Sequence, residues 1–393
     1  MNKFAAQFSG GVTRVFWALY FYYHRSRPRN AILAMRSRKR TEQFISDRKR
    51  FVIFLVPGLN TVNGGIMSIC SIASETEKLL TRNGVSVAVC TAYCEPRMLR
   101  YTKFENDIDI LALADLLPRF PTGADVLVHV PEMFLQKFVS DCPSVYLSRP
   151  DLKWRFNILL QIDLMPQREA VEVLKKIGPT TVTLAYKVMA AEAAQRLGCP
   201  VHFLSWFICP EDFERLEYSS KQKLIVISPD SHPAKFEIVR RMSEALPDHK
   251  IIEIRNMTYE KYKSIIKYAK FACTFGEGLD GYFAETIFCG GVGIAIFDDR
   301  YFTAEFRNLD GVFRDSERAI TGIAEFIKTT NSEVRYRTVA EAQYNLVART
   351  FDRNEYLQNI TTFYEEYCPE WGHLSDLTAG ANAGAGKAVM APR

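Results

Sequence analysis

The sequence predicts an α/β protein with two domains in tandem, each built on a parallel sheet. A chain of 393 residues is long enough for two or three domains. From residue 51 onward, short apolar runs alternate with helical stretches, and the runs are nearly continuous, as in parallel strands covered on both faces. The alternation stops at a charged segment, residues 211–221, and then restarts. This interruption indicates a linker between two domains.

The first predicted domain covers residues 51–215. Its apolar runs predict strands at 51–56, 85–90, 108–113, 126–130, 145–147, 157–162, 180–185 and 201–204. Helical stretches at 67–83 and 167–177 lie between strands, which is the pattern of β-α-β units. In such sheets ligands bind at the carboxyl ends of the strands, here between the domains.

The second predicted domain covers residues 216–372. Strands are predicted at 224–227, 250–254, 271–275 and 292–297, and helices at 234–246, 259–269, 281–288 and 332–367. Residues 373–393 are rich in Ala and Gly, which predicts a disordered tail. The nine cysteines are odd in number and several lie in apolar runs, which indicates buried thiols in a reducing compartment.

Residues 1–50 are predicted to form a basic, aromatic arm. They contain 12 Lys and Arg against two acids, a net charge of +10, while the remaining chain has 38 basic and 43 acidic residues, a net of −5. The aromatic run at 12–23 is shorter than the ~20 apolar residues of a spanning helix. We expect the arm to hold a cytoplasmic protein on the anionic inner face of the plasma membrane. The alternatives are a solvent-exposed basic leader and an arm docked on the acidic body, and the acidic body disfavours nucleic acid as a partner.

The glycine-rich turn at residues 275–285 is the most informative segment. An apolar strand runs into a turn that contains Glu277 and Gly278, and a predicted helix follows with Glu285 in its first turns. Glycines let a ligand approach the backbone closely, and free N–H groups at a helix start bind phosphate. Two carboxylates across such a turn can accept hydrogen bonds from vicinal hydroxyls. The alternative is that these acids only cap the helix.

This turn, followed by the residues TIFCGGVGIA, resembles the E-x7-E signature of retaining glycosyltransferases of family 4. The resemblance covers roughly residues 51–370 and implies the GT-B fold, in which two Rossmann-like domains face each other across a cleft and a C-terminal helix packs back. It implies that Glu285 binds the ribose hydroxyls of the donor and that Glu277 contacts the transferred sugar. The backbone of Gly278, Leu279, Asp280 and Gly281 would lie near the donor sugar and phosphates.

Other positions resemble the same family. Gly64 and Gly65 follow the first strand, where the family has a Gly-Gly loop facing the donor phosphates and the acceptor. Lys235 matches a family lysine that neutralises the donor diphosphate. His232 lies in the same loop and is a candidate donor to phosphate, and His129 is a candidate near the donor sugar. A core or loop histidine is the alternative for both.

The sequence also departs from the family. Ser228-Pro229-Asp230 replaces the family's Gly-Arg pair, so one diphosphate cation is missing, and spacing does not choose between Arg255 and Arg300 as its substitute. The acidic pairs at 107–109 and 298–299 are misplaced for a metal site, because the first precedes its strand and the second comes too late in the chain. We therefore expect no metal and no other cofactor.

The resemblance implies a bacterial polysaccharide or glycolipid glycosyltransferase. It would move a hexosyl group from a nucleotide-diphosphate-sugar donor to a glycan or lipid-linked acceptor of the cell envelope, with retention of configuration and without metal. Two alternatives stay open: a GT-B-shaped nucleotide-sugar epimerase, and a catalytically silent GT-B-like module that binds a glycan or nucleotide. The missing arginine favours the silent module.

Overall fold

The computed structural model describes residues 28–160, 165–204 and 206–371, so the predictions for residues 1–27 and for the tail lie outside the described residues. The first domain is a parallel sheet with strand order β3-β2-β1-β4-β5-β6-β7. Its strands are β1 (Arg50–Val56), β2 (Val85–Thr91), β3 (Ile110–Ala112), β4 (Asp125–Pro131), β5 (Lys153–Leu160), β6 (Thr180–Leu184) and β7 (Val201–Phe203).

Helices cover both faces of this sheet. They are α1 (Pro28–Ile45), α2 (Gly64–Leu80), α3 (Leu113–Leu116), α4 (Glu132–Asp141), α5 (Ser144–Leu147), α6 (Arg168–Ile177) and α7 (Ala190–Leu197). Successive side chains of a strand point to opposite faces. In β1, therefore, Phe51, Ile53 and Leu55 join one hydrophobic cluster, and alternate residues such as Phe54 join the other. This two-sided burial explains why the apolar run at 51–56 is continuous.

The second domain is a smaller parallel sheet with order β12-β11-β10-β8-β9. Its strands are β8 (Gln222–Ile227), β9 (Lys250–Glu253), β10 (Ala269–Cys273), β11 (Val292–Ile296) and β12 (Val312–Phe313). Its helical segments are α8 (Lys235–Ala245), α9 (Tyr259–Ile266), α10 (Gly281–Phe288), α11 (Ser316–Thr330) and α12 (Glu333–Thr350), followed by α13 (Arg353–Tyr367). Between the two sheets, the described part of residues 204–221 contains only short 3-10 turns.

The last helix, α13, returns to the first domain. Its residues Tyr356, Ile360 and Phe363 pack in the same cluster as Phe54 and Ile66. The closing helix that the sequence predicted at 332–367 is therefore interrupted. α12 ends at Thr350, and the side chain of Asp352 caps α13 by accepting a hydrogen bond from the Glu355 N–H at 2.7 Å.

One predicted strand is wrong. Residues 145–147 lie in the helical turn α5, where the Ser148 N–H donates to the Ser144 carbonyl at 2.8 Å. Three apolar residues are too few to distinguish a strand from a turn of helix. The short β12 was not predicted, because two residues show no periodicity.

The predicted arm is docked on the first domain from residue 28 onward. Along α1, Ser37 donates to the buried Asp115 carboxylate at 2.8 Å, and Arg97 binds the same carboxylate through two hydrogen bonds of 2.8 Å. Arg40 donates to the Leu99 carbonyl at 3.0 Å. This is the docked arrangement that the sequence left open as an alternative. In the described ranges, no helix has both the length and the apolar character needed to cross a bilayer.

Candidate functional site

The glycine-rich turn connects β10 to α10 at the carboxyl end of the second sheet. Asp280 caps α10, because its Oδ1 accepts from the Phe283 N–H at 3.0 Å and its other oxygen accepts from the Thr274 hydroxyl. Burial raises the pKa of Asp280 to about 7. The capping interpretation thus applies to Asp280, whose side chain is used within the turn. The two glutamates of the motif have other partners.

Glycine is required in this turn by geometry. Gly278 has a φ of +84°, and a Cβ on it would lie 2.3 Å from Cε2 of Phe302. A side chain at this position would meet both strain and a clash. Leu279 is buried in the core of the second domain and anchors the turn there. The Leu279 side chain therefore packs inside the domain, and only the backbone of this residue is available to a ligand.

Glu285 is a buried carboxylate with an unpartnered oxygen. It lies on the second turn of α10 and is 6% exposed. The Tyr259 hydroxyl donates to Oε1 at 2.9 Å, while Oε2 has no hydrogen-bond partner among the described residues. Burial raises the pKa of Glu285 to about 7, although the neighbouring hydroxyls of Tyr259 and Tyr262 oppose the rise. A buried acceptor without a partner costs free energy, so this oxygen is a candidate to bind the hydroxyl of a ligand.

The Glu285 side chain lines a cavity of about 850 Å³ to which both domains contribute. Gly281 and Tyr259 line it from the second domain, and Gly64 lines it from the first. A cavity of this size falls in the range of small-molecule sites. The structure thus brings together three of the residues singled out in the sequence, Gly64, Gly281 and Glu285, from opposite domains.

Gly64 and Gly65 begin α2 at the edge of this cavity. The Asn63 side chain caps the helix by accepting from the Ile66 N–H at 3.1 Å. The Gly64 Cβ position is open, with no atom within 4 Å. The first N–H groups of α2 therefore lie where an anionic ligand group could approach them.

Lys235 is tied into its own loop. Its Nζ donates to the Ser228 carbonyl at 2.7 Å, to the Asp230 carbonyl at 2.8 Å and to Oε1 of Glu253 at 2.6 Å. An ammonium has three donors, and these acceptors use all of them. The lysine therefore closes the β8–α8 loop, and Glu253 neutralises its charge.

Neither candidate for the missing arginine reaches the cavity lining. Arg255 pairs with Glu253 at 2.8 Å, and Arg300 pairs with Asp298 at 2.5 Å. Both guanidinium side chains are half-exposed or more. His232, in the β8–α8 loop, accepts from the Ala234 N–H through Nδ1 at 3.1 Å, so that nitrogen serves the loop.

His129 is a core residue, which corrects its assignment to the donor sugar. It is completely buried and stacks on Phe54 with ring centroids 4.1 Å apart. Its Nδ1 lies 2.8 Å from the Asn157 amide nitrogen, and its Nε2 lies 3.0 Å from the Tyr364 hydroxyl. Burial lowers the pKa of His129 to about 3. The neutral imidazole thus joins the sheet to α13 instead of facing the cavity.

Glu277 is held from the opposite domain. The hydroxyl of Tyr186, just after β6, donates to Oε2 of Glu277 at 2.5 Å. Tyr186 and Tyr259 each donate to one of the two motif glutamates, and sequence reasoning identified neither tyrosine. The sequence showed that one tyrosine follows a predicted strand and that the other begins a predicted helix. It did not show which residues they bind. Among the described residues, no three His, Cys, Asp or Glu side chains are grouped so that they could hold a metal ion.

Comparison with known proteins shows likeness in structure alone. No protein-family model and no curated protein sequence matches this chain. A sucrose-phosphate synthase from Thermosynechococcus elongatus has a TM-score of 0.54 at 9% identity, covering 82% of this chain and 100% of that one. The Anabaena protein HepE, solved in complex with UDP-glucose, has a TM-score of 0.50 at 11% identity, covering 80% of this chain and 99% of that one. With its two parallel-sheet domains and returning helix, the chain has the GT-B fold.

Proposed function

We propose that this protein is a glycosyltransferase that moves a hexosyl group from a nucleotide-diphosphate sugar to a glycan or lipid-linked acceptor. The observation that carries the proposal is the unpartnered Oε2 of Glu285, buried in a cavity between two domains of a GT-B fold. A ribose presents two vicinal hydroxyls, and a buried carboxylate is the acceptor that suits such a pair. HepE, which has the same fold, binds UDP-glucose according to its structure.

In this proposal the diphosphate lies between the two domains. The first N–H groups of α2, at Gly64 and Gly65, and the backbone of residues 278–281 would approach its oxygens. These backbone dipoles are fixed before the reaction, so they stabilise the charge that develops as the sugar leaves. Glu277 would accept from hydroxyls of the transferred sugar.

The proposed transfer retains the anomeric configuration and uses neither a side-chain nucleophile nor a metal. An oxygen of the leaving diphosphate takes the proton of the acceptor hydroxyl as the new glycosidic bond forms on the same face. The bond between the sugar and the diphosphate breaks in the same event, and the nucleoside diphosphate leaves with the proton of the acceptor. Closure of the two domains would exclude water and favour transfer over hydrolysis.

A second candidate is a catalytically silent module that binds a nucleotide or glycan in the same cleft. The observation that favours it is the position of Lys235, whose three donors are used by the loop and by Glu253. A diphosphate at this loop would meet a neutralised lysine. A silent module would bind nucleotide and release no nucleoside diphosphate from a donor.

Two measurements on the full chain test the proposal. Thermal shift with UDP and with UDP-glucose detects binding, because a ligand of the folded state raises its stability. Release of UDP from UDP-glucose separates an enzyme from a silent module. Glu285→Gln is expected to weaken both signals strongly, and Glu260→Gln, at an exposed carboxylate on α9, is the matched control. Equal binding by both variants would refute the role of Glu285.

We further propose that α1 contributes to contact with an anionic membrane, where a lipid-linked acceptor would reside. Ile32 and Met35 are 50% and 65% exposed on this helix, and Arg36 and Lys39 are exposed beside them. The spacing of these four residues places them on one face of the helix. A docked helix with apolar and basic side chains on its outer face suits a lipid surface with anionic headgroups.

A further inference from the structure

Tyr186 connects the two domains at the candidate sugar end of the cleft. It follows β6 at the carboxyl edge of the first sheet, while Glu277 follows β10 at the carboxyl edge of the second. The Tyr186 hydroxyl donates to Oε2 of Glu277 at 2.5 Å, so one hydrogen bond joins the carboxyl edges of the two sheets.

The aromatic ring of Tyr186 is held by the second domain as well. It packs edge-to-face on Tyr301, with ring centroids 5.1 Å apart and an interplanar angle of 73°. Tyr301 itself is 8% exposed, so the contact lies in a packed environment. The hydroxyl and the ring thus fix Tyr186 at two separate points of the second domain. Both contacts require the two domains to be close together.

The protonation of Tyr186 also suits a permanent donor. Burial, and then the negative charge of Glu277, raise the pKa of Tyr186 well above its usual value. The phenol therefore keeps its proton throughout the neutral range. A carboxylate with one oxygen held in this way has a fixed orientation, and each of its oxygens can accept more than one hydrogen bond.

We infer that Tyr186 is a positioning residue that orients Glu277 for the hydroxyls of the donor sugar and links sugar recognition to closure of the two domains. The inference rests on the proposed function, in which Glu277 contacts the sugar. It goes beyond that proposal because it assigns a first-domain residue to recognition of the sugar. It also implies a separation of roles in donor binding. The nucleotide part binds through Glu285 and does not depend on Tyr186, whereas binding of the sugar part depends on Tyr186.

Tyr186→Phe tests this separation, because it keeps the ring contact and removes only the hydroxyl. Calorimetry on the full chain would compare UDP with UDP-glucose, and GDP with GDP-mannose. We expect the variant to bind the nucleoside diphosphate within about twofold of wild type and to bind the sugar nucleotide about tenfold more weakly, the scale of one hydrogen bond to a charged group. Tyr268→Phe, which removes the hydroxyl of a 39% exposed tyrosine of the second domain, is the control and is expected to bind both as wild type does.

A readout without ligand separates this inference from the proposed function. Hydrogen exchange at residues 276–280 should be faster in Tyr186→Phe than in Tyr268→Phe, because only the first variant takes away the hydrogen bond that joins the turn to the first domain. Unchanged exchange, or unchanged affinity for the sugar nucleotide, would overturn the role of Tyr186 even if wild type is an active transferase. An equal loss of affinity for the nucleoside diphosphate and the sugar nucleotide would show a merely structural role. If wild type binds none of the four nucleotides, the proposed function fails, and the inference fails with it.

Discussion

Replacing Glu285 by glutamine should weaken donor binding and, at the same time, make the protein more stable at alkaline pH. The substitution preserves the shape of the side chain and the acceptor for the Tyr259 hydroxyl, and it removes the buried charge. Loss of function with a gain in stability is the signature expected of a residue that is kept for binding.

The gain in stability follows from the pKa of this carboxyl. Burial raises it from 4.5 to about 7. The folded state therefore keeps its proton up to about pH 7, whereas the unfolded chain releases it near its ordinary value, so the carboxyl's contribution to stability falls as the pH rises between them. At about 1.4 kcal/mol per pH unit, the cost above pH 7 is roughly 3 kcal/mol. The glutamine NH₂ of the variant would lack a hydrogen-bond partner where Oε2 now lies, which costs the variant about 1 kcal/mol. We therefore expect a net gain in its free energy of unfolding of about 2 kcal/mol at pH 8.

Denaturant unfolding of wild type and Glu285→Gln at pH 4 and pH 8 measures this difference. The two proteins should be nearly equal at pH 4, where both side chains are neutral, and should differ at pH 8. Calorimetry with UDP at pH 8 should show a loss of about 2–3 kcal/mol in binding free energy, the range of a hydrogen bond to a charged group. A variant that is less stable at pH 8 would refute the burial argument. A variant that binds UDP as tightly as wild type would refute the assignment to the ribose.

Three further predictions concern the turn, the lysine and the docked helix. Gly278→Ala should lower the free energy of unfolding by about 2–4 kcal/mol, because it combines a strained φ with a clash against Phe302; a loss under about 1 kcal/mol in denaturant unfolding would contradict this. Lys235→Met should lower stability by about 1–3 kcal/mol, because it leaves two loop carbonyls without their donor and leaves Glu253 paired with Arg255 alone. If turnover of UDP-glucose falls while stability is unchanged, the lysine acts on the donor instead. The double variant Met35→Glu with Lys39→Glu should weaken co-sedimentation with anionic vesicles and leave that with neutral vesicles unchanged; equal binding of both proteins to anionic vesicles at low salt would exclude this face of α1.

The sequence determined the fold class and most of its elements. The continuous apolar run at 51–56 predicted a strand covered on both faces, and all six of these residues are completely buried in β1. The helix predicted at 281–288 is α10, since Asp280 provides a local cap and glycine precedes it. Such signals lie within a few residues of chain, so they can be read without the tertiary structure.

The sequence also identified the turn that contains the candidate site. The sequence placed Glu277 between glycines at the end of a strand and Glu285 on the helix that follows, and the structure brings Glu285 to a cavity opposite Gly64. Whether either carboxylate is free to bind a ligand depends on partners far away in the chain. Tyr186 holds Glu277 from 91 residues away, and no local pattern indicates that pairing.

Only the tertiary structure decided which polar residues serve the fold. Lys235 and His129 have the residue types and positions that a diphosphate or sugar site requires, and both are used internally, by the β8–α8 loop and by α13 respectively. The same holds for α1, whose basic composition suggested an arm and whose Ser37 binds a buried carboxylate on the first domain. Composition shows which chemical groups are present, but hydrogen-bond donors and charges are satisfied by whichever acceptors the folded chain brings within about 3 Å of them.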